Sequence, residues 1–133
     1  MYTKSLTIQL ISCKILYEVK IMKLHYYHSK AGKNLILEYI DSLTIEEQTD
    51  GYSVLKCMED GKLEQFHFKR WEKKIYEVYF YKHNRIFYIT VDNDNIYLLH
   101  ACKKPKNKTG KKDKRIIETR AKELGKALEK SFI

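Results

Sequence analysis

Ile75-Tyr76-Glu77-Val78-Tyr79, Asn84-Arg85-Ile86-Phe87-Tyr88 and Ile96-Tyr97-Leu98-Leu99-His100-Ala101-Cys102-Lys103-Lys104 follow one another within 30 residues. The three runs are rich in β-branched and aromatic residues. Lys82-His83-Asn84 and Asp92-Asn93-Asp94-Asn95 separate them. Apolar runs of this kind, broken by short polar turns, predict an antiparallel meander. Arg85 opens the middle strand, and Lys103-Lys104 closes the last one. Cations at strand ends of a small sheet make a site for a phosphodiester. The competing reading is that edge lysines keep a sheet from aggregating.

Upstream of the meander, Lys23–His28 reads as a first strand and Ser29–Lys33 as a turn. Gly32-Lys33 is not a phosphate-binding loop, because the first glycine and the spacing are missing. Leu35–Leu43 carries apolar residues at 36, 39, 40 and 43, the helical period. Thr44-Ile45-Glu46-Glu47 is a capping box that starts a second helix. That helix is expected to bury Tyr52, Leu55 and Met58 or their neighbours and to end at Gly61. Leu63–Trp71 alternates as a strand. Within it His67 reads as structural, and Trp71 reads as a lid on the core or, beside Lys69 and Arg70, as a base-stacking platform.

Downstream, Pro105 and Gly110 exclude a continuous helix and leave a basic loop. Asp113 is placed to cap a last helix, with Ile117, Ala121, Leu124 and Leu128 as its apolar stripe and Arg115, Arg120, Lys122 and Lys126 opposite. The whole predicts an α+β fold of two layers. An antiparallel sheet of four to five strands carries two N-terminal helices and a C-terminal helix.

At 133 residues, 44% of them apolar, the chain is long enough for one domain with one modest core. Cys13, Cys57 and Cys102 are odd in number and widely spaced, so neither a disulfide framework nor a zinc site is expected, and free thiols fit the cytoplasm. The net charge is +9. Residues 1–102 hold 14 Lys/Arg against 13 Asp/Glu, whereas residues 103–133 hold 12 against 4. Such asymmetry points to a polyanionic partner, nucleic acid before membrane. Residues 1–21 are mostly apolar but broken by Lys4, Lys14, Glu18 and Lys20, too interrupted for a membrane span or a signal peptide. Met22 reads as a start, with 1–21 as an upstream extension and 22–133 as the domain; the alternative is an added strand over Leu6–Ile11, which alternates.

The meander motifs resemble the RelE/ParE superfamily of bacterial toxins, most closely its phage-derived HigB-like branch. Those proteins show a Leu-Tyr-Glu-Leu-Arg strand, an Arg-(Ile/Val)-Phe-Tyr strand, and an apolar strand ending in Phe-x-Lys-Lys before a final helix. Ile75–Tyr79, Arg85–Tyr88 and Leu98–Lys104 match them in order, and the likeness spans Met22 to Leu128. Two departures stand out. Tyr79 replaces the arginine of the first motif, and Ala101 or Cys102 replaces the phenylalanine of the third.

The resemblance implies the toxin of a type II toxin–antitoxin system. It would be a ribosome-dependent messenger-RNA endoribonuclease that needs no metal or other cofactor. Its expected partners are mRNA on the ribosome and a helix-turn-helix antitoxin, through which alone it would oligomerise. In such cleavage the 2′-hydroxyl attacks the adjacent phosphate, and fixed cations stabilise the charge that develops. Arg85, Lys103 and Lys104 match the family's cationic positions, and Glu77 matches its glutamate. Tyr79 and His100 are further candidates for proton transfer, with a half-buried histidine held by hydrogen bonds as the competing reading of His100. Lys106, Lys108, Lys111, Lys112 and Arg115 are expected to track RNA backbone. The alternatives are a non-catalytic nucleic-acid-binding module and a gyrase-targeting toxin of the same fold.

Overall fold

A computed structural model describes residues 21–104 and 109–132. Residues 1–20 of the expected extension, and Lys106 and Lys108, lie outside the described residues. In chain order the elements are β1 (Lys23–Tyr26), α1 (Leu35–Asp41), α2 (Ile45–Glu59), a 3-10 turn (Leu63–Gln65), β2 (Phe68–Glu72), β3 (Ile75–Phe80), β4 (Asn84–Thr90), β5 (Asn95–Lys103) and α3 (Lys111–Leu128). The strands form one sheet in the order β1-β5-β4-β3-β2. Strands β2 to β5 are the expected antiparallel meander, but β1 pairs with β5 in parallel, so the sheet is mixed. Helices α1 and α2 and strands β2 to β4 lie between the two in sequence and supply the long connection that a parallel pair needs.

β4 decides the layering. Ile86 and Tyr88 point to α1 and α2, where they meet Ile36, Ile40, Val54 and Met58. Phe87 and Ile89 point the other way, onto Ile117 and Ala121 of α3 and onto Phe132. All of β4 except Thr90 is buried. The α+β class and the three helices are as expected, but helices cover both faces, giving three layers instead of two. The reason lies in Ile86-Phe87-Tyr88-Ile89: an unbroken apolar run leaves no strand face for solvent. None of the helices described is long and apolar enough to cross a membrane.

Local signals hold where they are strongest. The Asn34 side chain accepts from the Leu37 N–H at 3.1 Å and caps α1. Thr44 and Glu47 form the full capping box of α2. Gly61 ends that helix at a φ of +68°, a conformation that favours glycine.

Leu55 and Met58 are buried on α2 as expected, and Gly51, the neighbour of Tyr52, and Val54 complete the stripe while Tyr52 itself is exposed. Two expectations are corrected. Leu63–Gln65 is a 3-10 turn, so the expected strand begins only at Phe68. A 3-10 turn brings residues three apart onto one side, which lets Leu63 and Phe66 both pack on the core. Asp113 does not cap α3; Gly110 holds the N-cap without a side-chain bond, and Asp113 turns toward β5.

Candidate active site

Register across the meander lines up two rows of side chains on the face that α3 covers. Tyr79 lies opposite Arg85, and Arg85 opposite Cys102. Glu77 lies opposite Lys69 on one side and Phe87 on the other, and Phe87 opposite His100. His67 extends the first row, with its ring 4.7 Å from the Tyr79 ring. Alternation along each strand puts these residues on a common face.

Arg85 and Glu77 are brought together inside the protein. Arg85 Nη1 lies 3.3 Å from Glu77 Oε1, with side-chain exposures of 3% and 2%. The guanidinium also lies over the Tyr79 ring, 4.7 Å from its centroid. Tyr79 is half-buried, whereas His67 and Lys69 are exposed. A cleft of about 320 Å³ opens beside Glu77, and Lys69, Arg70, Trp71 and Lys114 are among its lining residues. Trp71 is fixed in that wall. Its ring meets Phe87 edge-on at 5.5 Å, and its Nε1–H donates to Thr109 Oγ1 at 2.9 Å. The cleft therefore has Lys69, Arg70 and Lys114 on its rim, with Lys114 3.4 Å from the Glu72 carboxylate, one aromatic wall and a carboxylate from the buried pair.

A second chain of contacts runs under the start of α3. Lys104 Nζ lies 2.6 Å from Asp113 Oδ2, and His100 Nε2 lies 2.8 Å from Asp113 Oδ1. Arg120 donates to the Leu99 carbonyl at 2.8 Å and approaches His100 Nδ1 at 3.4 Å. A guanidinium can only donate, so Nδ1 is the acceptor and Nε2 carries the proton toward Asp113. Burial lowers the His100 pKa, only partly countered by Asp113, so the ring is neutral near pH 7. Burial alone would raise the Asp113 carboxyl, but its bonds to Lys104 and His100 hold it below the usual range. With both nitrogens engaged, His100 positions its neighbours in this arrangement.

His100, Cys102 and Asp113 bring ligand-type atoms within 4.8 Å of one another. The surroundings do not suit a cation. Lys104 and Arg120 already occupy two of these partners, and burial pushes the Cys102 thiol up to about 12.

Lys103 is not brought to this face. Its Nζ lies 2.8 Å from Glu47 Oε2, on the side of α1 and α2. There Glu47 also accepts from the Asn84 side-chain amide at 2.8 Å, and Asn84 accepts from the Tyr39 hydroxyl at 2.5 Å. Adjacent lysines in a strand must point to opposite faces, so the Lys-Lys pair splits into one anchor for α2 and one partner for Asp113. Lys111, Lys112 and Arg115 are exposed in the first two turns of α3. Asp113 and Arg120 are the residues that sequence reasoning assigned elsewhere. Arg120 reads from the sequence as part of the face opposite the apolar stripe, yet its guanidinium stacks 4.2 Å from the Tyr27 ring. Nothing local marks either, because their partners lie on β5 or just past the ends of β1 and β5.

Residues 38–122 match the family described as Phage derived protein Gp49-like (DUF891), which covers more than half of the chain. No curated protein matches it.

Proposed function

We propose, from the premise that this chain belongs to the phage-derived Gp49-like family, a RelE/HigB-type family of toxin-like proteins, that it is a type II toxin acting as a metal-independent messenger-RNA endoribonuclease on the ribosome. The observation that carries this reading is the Arg85–Glu77–Tyr79 cluster beside a cleft rimmed by Lys69, Arg70 and Lys114. An RNA backbone seated in the cleft meets Lys69 and Arg70 on the rim before it reaches the pair. Arg85 then exchanges Glu77 for a phosphoryl oxygen, to which its planar fork binds bidentately. The freed Glu77 carboxylate accepts the 2′-hydroxyl proton as that oxygen attacks phosphorus. Tyr79, under the guanidinium, is the nearest phenol for the 5′-oxygen leaving group. Lys104, at the end of β5, reaches the phosphate only by releasing Asp113, as Arg85 must release Glu77. A cationic face of this kind also gives an antitoxin a surface to cover, with acidic side chains as the complement.

The test is induction of the full chain in a bacterial host, with new 5′ ends of messenger RNA mapped across the transcriptome. Growth arrest with in-frame cuts, absent in a folded Arg85→Met/Glu77→Leu variant, is the expected result. Arrest with intact messages and broken DNA would instead assign the chain to gyrase. One observation favours a second reading, a non-catalytic binding module: the Arg85–Glu77 pair is almost wholly buried. Arrest that survives the double variant, with messages bound but uncut, would select it.

A further inference from the structure

A separate cleft of about 580 Å³ lies between β1, β5 and α3. Its size falls within the roughly 300–1,000 Å³ of small-molecule sites. The walls are aromatic planes locked in place. His25 lies flat on Tyr97, with ring centroids 4.2 Å apart and planes 10° from parallel. His25 Nε2 is held 2.8 Å from Asn95 Oδ1. Across the cleft, the Arg120 guanidinium stacks 4.2 Å from the Tyr27 ring, and the Tyr27 hydroxyl donates to Glu123 Oε1 at 3.1 Å. Two prebuilt stacking surfaces thus stand beside one cation and one carboxylate.

We propose that this cleft binds a nucleobase of single-stranded RNA, stacked on the His25–Tyr97 or Tyr27–Arg120 plane and read along its edge by Glu123 and Arg120. Three observations favour a base over an aliphatic side chain. Flat aromatic and guanidinium surfaces stack bases well and tolerate any of them. A carboxylate acceptor and a guanidinium donor side by side match the mixed edge of a base. The cleft also lies on the sheet face of Arg85 and Glu77. Arg120 links it to His100 and so to Asp113 and Lys104. The source of the base as messenger RNA rests on the function proposed above; the stacking site itself does not.

The experiment titrates the full chain with adenosine monophosphate and uridine monophosphate while following histidine and tyrosine ring signals by NMR. The His25, Tyr27 and Tyr97 rings are expected to shift. His25→Leu and Tyr27→Leu, each checked for folding by circular dichroism, are expected to weaken binding about tenfold or more, the scale of one lost stack. Unmoved cleft rings in the wild-type chain, or unchanged nucleotide affinity in folded variants, would overturn the proposal. If nucleotides leave the cleft silent while its variants lose a co-expressed antitoxin, the cleft is a protein-docking surface. Base binding without message cleavage would sink the endoribonuclease and leave the cleft standing; cleavage with a silent cleft would do the reverse.

Discussion

Arg85→Ala is the informative perturbation, because it acts on stability before it acts on chemistry. Arg85 and Glu77 expose 3% and 2% of their side chains. Their neighbours include Phe87, which is fully buried, and Cys102, at 8% exposure. Removing the guanidinium leaves a carboxylate in that setting without its ion-pair partner. Breaking a buried pair from one side costs about 3–5 kcal/mol. A domain of this size has roughly 5–15 kcal/mol in total. The melting temperature should fall by roughly 10–25 °C, at about 3–5 °C per kcal/mol for a chain of this length. Replacing both charges with apolar groups of similar volume removes the stranded carboxylate. Glu77→Leu/Arg85→Met should therefore recover to within about 1 kcal/mol of the parent or exceed it. Urea unfolding of the parent, both single variants and the double closes the cycle. A loss under about 1 kcal/mol in Arg85→Ala, or a double variant less stable than either single, would refute the reasoning by showing that water reaches the pair.

Gly125→Ala gains roughly 1 kcal/mol of helix propensity, but a Cβ there would stand 2.6 Å from the Lys130 carbonyl oxygen. Overpacking of that kind costs about 1–3 kcal/mol, so a net loss is expected in thermal unfolding; a gain would mean that the C-terminal turn simply moves aside. The Asn84 amide, then Lys103, hold the Glu47 carboxyl down to about 2, from an ordinary 4.5. A depressed carboxyl contributes stability above its unfolded pKa and loses it as pH falls through the folded one. The stability advantage of the parent over Glu47→Gln should thus be full above pH 4.5 and shrink toward pH 2; a pH-independent gap would contradict the assignment.

Features that depend on neighbours in sequence were legible. Thr44 and Glu47 are three residues apart and cap α2 as a pair. Gly61 stops the helix because of its own φ, and the meander shows itself through short turns between apolar runs. What failed depends on contacts far apart in sequence. β1 carries no mark of its parallel pairing with β5, since strand direction is set by the chain between them. The third layer was legible in principle, because four consecutive apolar residues in β4 cannot all face one helix layer. The composition of the runs does not show it; the alternation of their faces does. The same alternation sends Lys103 to Glu47 and Lys104 to Asp113 on opposite sides.

Tyr79 shows how far a motif departure can be argued once register is known. The resemblance expects arginine there, directly opposite Arg85. Two guanidiniums facing across neighbouring strands repel, and one Glu77 cannot balance both, so that arrangement keeps a net positive charge ready for phosphate. With tyrosine, the ring supports the guanidinium, and Arg85 with Glu77 is neutral. A neutral pair can be buried, which is the state observed. Tyr79→Arg should therefore restore a net cation and draw RNA backbone into the cleft. Binding of a short single-stranded RNA, followed by fluorescence anisotropy between 50 and 200 mM salt, should tighten, and the salt slope should steepen by about 0.7, the value for one added phosphate contact on a single strand. An unchanged slope would mean that the new guanidinium pairs internally and that the tyrosine is not what keeps Arg85 closed.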